Sequence, residues 1–281
     1  MSVLYRWADL TGPELAALAE ADPVAVLPMA AIEQHGPHLP LDTDVVIGAG
    51  LIEAAGRGYP ENRAPIIVLP AMTLGASLEH TGFAGTLSVS GEQAMAQLRA
   101  YGAGVAGAGI RRLVIFNSHG GNKAALDMAA LQMRSDHGLL VVKASYFRFT
   151  PPADTLAASE LAHGLHGGAL ETAMMLHLAP ARVRRDALAD FPSYGAERAA
   201  SGATLGPEGD AGFAWRAEDL NAQGVTGNAA SATAEQGAAL IEAFGERLAQ
   251  IWHETAVFDL SRLGSGTSRD DRAQSNAPKA R

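Results

Sequence analysis

The 281-residue chain contains no cysteine. That excludes a disulfide framework, a thiolate nucleophile and any cysteine-ligated zinc or iron–sulfur centre, so a metal would have to be held by histidine, aspartate and glutamate. Positive charge is also scarce: 21 Lys and Arg stand against 30 Asp and Glu, a net charge of −9. Nucleic acid and anionic membranes select basic surfaces, so neither is expected as a partner. The opening residues MSVLYRWADL lack the basic, apolar and small-residue segments of a secretory signal, and no apolar run reaches spanning length. A cytoplasmic location is the expectation. The P-loop pattern GxxxxGKS/T is missing, as is the GxSxG nucleophile elbow, which removes the simplest arguments for a P-loop or serine-hydrolase site.

What is present suits a folded protein: 48% hydrophobic and 18% charged residues. One domain spanning residues 1–260 is expected, followed by a Ser-, Gly- and charge-rich tail, 261–281, expected to be disordered. Thr11-Gly-Pro-Glu14 has the form of a capping box and predicts a short helix to about Ala21. Apolar runs at 24–30, 65–71, 111–117 and 139–147 read as strands, separated by helical stretches after Asp44, Ser90 and Asn122. This alternation predicts an α/β fold, a three-layer α/β/α sandwich around a mainly parallel sheet, whose ligand crevice lies beyond the carboxyl ends of the strands. Residues 150–165 read as a connector, 166–178 and 230–253 as helices, and 179–229 as a lid or interface segment.

Three blocks carry most of the acid and imidazole signal: EQHGPHLPLDTD at 33–44, NSHGGN at 117–122 and HGGALE at 166–171. Carboxylate oxygen and imidazole nitrogen are the mixed donor set of Zn²⁺ and Mn²⁺, with Fe²⁺ also compatible, and two such ions sit ~3.5–4 Å apart when a carboxylate bridges them. Glu33, His35, Asp44, His119 and Glu171 are enough to supply two divalent ions per chain. Glu33 and His35, two apart on an extended segment, point the same way. His119 follows a strand and precedes two glycines, where the backbone is free to approach a ligand; a phosphate nest is the competing reading there. His166 and Glu171 are five apart, which on a helix separates them into different roles. For single histidines the ordinary explanation is structural: His137 and His253 suit helix ends and His177 a helix face. His38 and His80 carry no assignment, though His80 lies in a loop that would border the pocket.

Taken in order, AAIEQHGPHLPLDTDV, EHTGFAGTLSVS, NSHGGN, HGGALETAMML and GVTGNAASATAEQGAAL resemble the creatininase (creatinine amidohydrolase) family over roughly residues 5–250. The resemblance implies a dinuclear metal hydrolase of C–N bonds, acting on a small-molecule or small-peptide amide and assembled as a homo-oligomer, often a hexamer. It also implies Glu33, His35, Asp44 and His119 as metal ligands, with Asp44 bridging, His166 as the catalytic histidine, and Glu171 as a ligand or as partner of the attacking water. Two departures stand out. Creatininases proper carry a glutamate where this chain has Gly121, which makes Glu171 the candidate for the missing ligand. They also enclose creatinine with tryptophans, whereas Trp7, Trp215 and Trp252 lie outside those blocks. The tryptophan departure argues against creatinine as substrate, and the HGGN form resembles more closely the relatives that deformylate formamidopyrimidine nucleotides or trim the mycofactocin precursor peptide. Loss of a ligand at Gly121 also keeps open a binding protein without catalysis, and the βα pattern alone would allow a dinucleotide-binding oxidoreductase.

Overall fold

The computed structural model describes residues 3–264. In chain order its main elements are β1 (Leu4–Arg6), α1 (Gly12–Ala19), β2 (Val24–Met29), α2 (Thr43–Gly58), β3 (Ile66–Val68), α3 (Gly91–Gly107), β4 (Arg112–Asn117), α4 (Lys123–His137) and β5 (Leu140–Ser145). There follow α5 (Ala158–His163), α6 (Ala169–Leu178), α7 (Tyr194–Ala200), α8 (Ala217–Leu220) and α9 (Ala234–Val257). The five strands form one parallel sheet in the order β1-β3-β2-β4-β5. Val24 of β2 pairs in register with Ile66 on one side and Arg112 on the other, and Met29 ends level with Asn117. From β2 the chain moves outward to β3, then crosses back over β2 to β4. That reversal opens a crevice at the carboxyl ends of β2 and β4, the usual ligand position in such sheets.

Both faces of β2 and β4 are buried, which is why these strands read as continuous apolar runs. Val24, Val26, Val114 and Phe116 pack with α2, α6 and α9, while Ala25, Leu27, Met29, Leu113 and Ile115 pack with α3 and α4. Helix α9 contributes Leu240, Ile241, Phe244, Leu248 and Trp252 to the first layer, a stripe at helical spacing. Each such side chain, fully buried, contributes roughly 1.5–3 kcal/mol. The capping box is present at Thr11 and Glu14, and again at Ser90 and Gln93 and at Thr233 and Gln236. Gly138 ends α4 in the left-handed conformation at φ 70°.

The expected three-layer architecture is the one observed, with differences at its margins. Edge strand β1 adds a fifth strand; its LYR residues are half-buried or exposed and lack the buried apolar run that marks β3. The 150–165 connector contains α5, and α9 runs on to Val257, which places His253 inside the helix rather than at its end. Of the expected tail, Ser261 and Arg262 lie in a single 3-10 turn with Leu260, and 265–281 lie outside the described residues. No described helix is long and apolar enough to cross a membrane.

Candidate metal centre

Segments leaving β2 and β4 deliver the site. After β2 the chain turns at Gly36, whose φ of 66° lies in the left-handed region, and the Glu33 amide donates to the Leu41 carbonyl at 2.9 Å. This contact folds the proline-rich loop back so that Asp44 arrives in the first turn of α2, facing Glu33 and His35. The asparagines of NSHGGN staple the neighbouring loops together. Asn117 takes the His119 amide on its Oδ1 at 3.2 Å and donates to the His119 carbonyl at 2.7 Å. Asn122 donates to the Ala30 carbonyl at 3.1 Å and accepts from the Ala76 amide at 2.9 Å.

The structure brings all six predicted site residues together. His119 Nδ1 lies 3.1 Å from Glu33 Oε1 and 3.4 Å from Asp44 Oδ2. His35 Nε2 lies 3.3 Å from Asp44 Oδ1 and 3.9 Å from Glu171 Oε2. Asp44 therefore stands between two imidazoles, one oxygen toward each. His166 lies beside them, with Nδ1 3.6 Å from Glu33 Oε1, its ring 4.3 Å from that of His35, and Nε2 donating to the Gln34 carbonyl at 2.7 Å. Both oxygens of Glu171 have protein donors, the Tyr146 hydroxyl and the Gly167 amide, each at 2.7 Å.

Glu33, His35 and Asp44 are at most 1% exposed. Yet Glu33 Oε1, His35 Nε2 and Asp44 Oδ2 have no hydrogen-bond partner. Buried polar atoms are normally paired, and a convergent set of unpaired oxygen and nitrogen donors fits a divalent cation. Without a metal, protons fill the same role. Burial opposes charge on every member, but mutual attraction overcomes it. His35 is raised to about 9 by Asp44, His119 well above its usual range by Glu33 and Asp44, and Glu33 is held down to about 2 by His119. Asp44 is likewise lowered, by His119 and His35 against the cost of burial. His166 moves the other way, its pKa lowered by burial and by repulsion from His35, so it is neutral near pH 7.

One histidine left unassigned from the sequence belongs here. His80 is 2% exposed, stacks on His166 at 4.1 Å between ring centroids, and faces Glu33 Oε1 from Nε2 at 3.5 Å. Its Nδ1 accepts from Gln34 Nε2 at 2.8 Å, and burial with repulsion from His166 lowers its pKa to about 2. The only signal in the sequence was its place in the EHTGFAG block. His38 is buried but structural, donating from Nε2 to the Gly167 carbonyl at 2.9 Å and so tying the loop after β2 to the start of α6. Asp42 is spent on an ion pair with Arg182.

A cavity of about 580 Å³ opens over this cluster. Phe147, Phe149 and Leu161 line its walls, with Lys123 and Arg148 also on its surface. Glu208, Ala214 and Trp215 line it too, so the 179–229 segment supplies part of the pocket. Trp215 therefore reaches the cavity although it lies outside the blocks where an enclosing tryptophan was sought.

The fold is a three-layer α/β/α sandwich around a parallel sheet, with a buried carboxylate–imidazole cluster able to hold a divalent metal at the carboxyl edge of that sheet. The chain belongs to the creatininase family, whose profile, described as creatinine amidohydrolase, matches residues 8–252. The mycofactocin precursor peptide peptidase of Mycobacterium tuberculosis (strain CDC 1551 / Oshkosh) is 36% identical over 174 residues, covering 60% of this chain and 64% of that protein. The match thus spans slightly under two thirds of that relative. The creatinine amidohydrolase of Pseudomonas putida is 30% identical over 203 residues, 66% of this chain and 75% of that one. Solved creatininases superpose on 92% of the chain. A Zn–Zn form has a TM-score of 0.70 at 26% identity and covers 100% of its own chain; a manganese form has 0.69 at 25% and also covers 100%.

Proposed function

We propose that this chain is a divalent-metal-dependent amidohydrolase that cleaves an amide C–N bond in a substrate larger than creatinine, a short peptide being the leading candidate. The observation that carries the reading is the set of three buried donors that make no hydrogen bond, Glu33 Oε1, His35 Nε2 and Asp44 Oδ2, on residues whose ligand atoms converge. Glu33, Asp44 and His119 would hold one ion, and His35 and Asp44 a second, with Glu171 as ligand or as partner of the attacking water. Zinc or manganese is the expected metal, on the donor chemistry and on the forms in which related creatininases are known. When bound, such ions supply a water of pKa near ~7 and polarise the scissile carbonyl.

The protein's own groups account for the rest. His166, neutral and anchored through Nε2, presents Nδ1 to the centre as a proton acceptor that can return the proton to the leaving nitrogen, a role worth ~10²–10⁴-fold. Tyr146 and the Gly167 amide fix the Glu171 carboxylate. The aromatic walls and Trp215 exclude water and pack the substrate. The volume of about 580 Å³ favours a peptide over creatinine, as does the similarity to a peptide peptidase. The exposed Met128 and Leu131 of α4 support assembly into a homo-oligomer, a hexamer being the expected form, which a mass measurement in solution tests.

The test is metal content together with a hydrolysis panel on Zn²⁺- and Mn²⁺-loaded protein: creatinine, a formamidopyrimidine nucleotide and short peptides. Near two ions per chain with peptide cleavage is the expected result. Creatinine turnover exceeding that of every peptide overturns the substrate assignment, and absence of metal binding overturns the whole reading in favour of a binding protein on the same fold.

A further inference from the structure

The loop between β3 and α3 brings an acidic residue against the metal cluster from the side that the ligand set does not use. His119 shows Nδ1 to Glu33 and Asp44, so an ion held there requires the lone pair on Nδ1 and the proton on Nε2. Three groups face Nε2: the Ala76 carbonyl at 3.0 Å and the Ser77 hydroxyl oxygen at 3.1 Å are within hydrogen-bond reach, and Glu79 Oε1 stands 3.4 Å away as an ion-pair contact. The Ser77 hydrogen is already committed to Glu33 Oε2. Among the three, only Glu79 carries charge, with its side chain 19% exposed at the cavity surface.

Gly121 explains how Glu79 gets there. A Cβ at position 121 would fall 2.2 Å from Glu79 Oε1, 2.4 Å from the Ala76 carbonyl and 2.5 Å from His119 Nε2. No side chain fits in that space while those groups keep their contacts. The glycine in the middle of the 3-10 turn that leads into α4 is thus the condition for the carboxylate to approach the ring.

We propose that Glu79, admitted by Gly121, is a positioning residue that orients His119 and holds its Nδ1 lone pair toward the metal, so that the pair sets the affinity of the centre. This rests on the metal reading above. Outer carboxylates behind a ligating imidazole fix its tautomer and raise its basicity, and their loss typically weakens metal binding by ~10–100-fold.

Chelator competition with Zn²⁺ on the full chain tests it, using Glu79→Ala, Glu79→Gln and Gly121→Ala, with the melting temperature of each metal-free protein as the control for folding. Affinity is expected to fall ~10–100-fold in Glu79→Ala, and by a smaller factor in Glu79→Gln, whose amide oxygen still accepts. It should also fall in Gly121→Ala, whose methyl displaces the carboxylate. Nitrogen NMR of the metal-free protein, taken at a pH high enough to leave the His119 ring neutral, should show the Nε2–H tautomer of the wild type giving way to a mixture in Glu79→Ala. Unchanged affinity in Glu79→Ala while the wild type binds zinc overturns the inference and leaves the metal reading standing. A loss equal in Glu79→Ala and Glu79→Gln that follows their metal-free melting temperatures overturns it as well, since that marks a structural role. A wild type that binds no zinc overturns both.

Discussion

Metal uptake should be in direct competition with protons, and its pH dependence can be worked out from the buried cluster. In the metal-free protein His35 carries a pKa of about 9, because the Asp44 carboxylate 3.3 Å away outweighs the cost of burying an imidazolium. Ligation requires neutral imidazole. At pH 7, two units below that pKa, about one molecule in a hundred has His35 ready, a penalty of roughly 3 kcal/mol at about 1.4 kcal/mol per unit. His119, also raised, adds a second proton. The apparent dissociation constant should therefore tighten about tenfold per pH unit for each proton displaced as pH rises from 6 toward 9. Calorimetry at pH 7 in buffers of different ionisation enthalpy counts the protons released, expected as one to two per protein.

Stability without metal should move the opposite way. His35 rises from its ordinary 6.5 to about 9 on folding, so its contribution is full below pH 6.5 and is lost as pH rises through 9. Metal-free melting temperature should fall across that window while saturating metal adds progressively more stabilisation. An affinity independent of pH between 6 and 9, with no proton released, would refute the argument.

Other perturbations separate the roles. Asp44→Asn should lose bound metal and activity together, measured by metal content and turnover, because Asp44 faces both imidazoles. His166→Ala should retain metal and lose turnover by ~10²–10⁴-fold. Trp215→Ala should raise KM for a peptide without changing metal content, since Trp215 meets the cavity but not the ligands. Gly36→Ala places a Cβ at positive φ and 2.7 Å from Val225 Cγ2, and should cost roughly 1–3 kcal/mol in a denaturant titration.

The chemistry of the site was legible because its ligands sit at the ends of legible elements. Strands β2 and β4 are buried on both faces, so they appear as apolar runs, and Glu33, His35 and His119 follow them directly. Strand β1 and helix α5 escaped because LYR at a sheet edge lacks a buried apolar run and six residues in a connector carry too little periodicity to register. His80 and Glu79 escaped for a different reason. They lie ten and more residues beyond β3, and although the loop carrying His80 was expected to border the pocket, nothing local says which of its side chains reach the ends of β2 and β4. Trp215 was set aside for its position in the chain, though the 179–229 segment carries it back to the cavity.

By itself, then, the order of residues determined the donor types, the strands that present them and the parallel architecture, because hydrophobic period and strand-end placement are local properties. The tertiary structure alone decided which oxygen faces which ring nitrogen, that Asp44 stands between His35 and His119, and that the space above Gly121 belongs to Glu79. Except for the contact of His35 with Asp44, nine residues on and closed by the loop after β2, those are distances between segments 40 and more residues apart, set by strand order and loop packing, which no local pattern encodes.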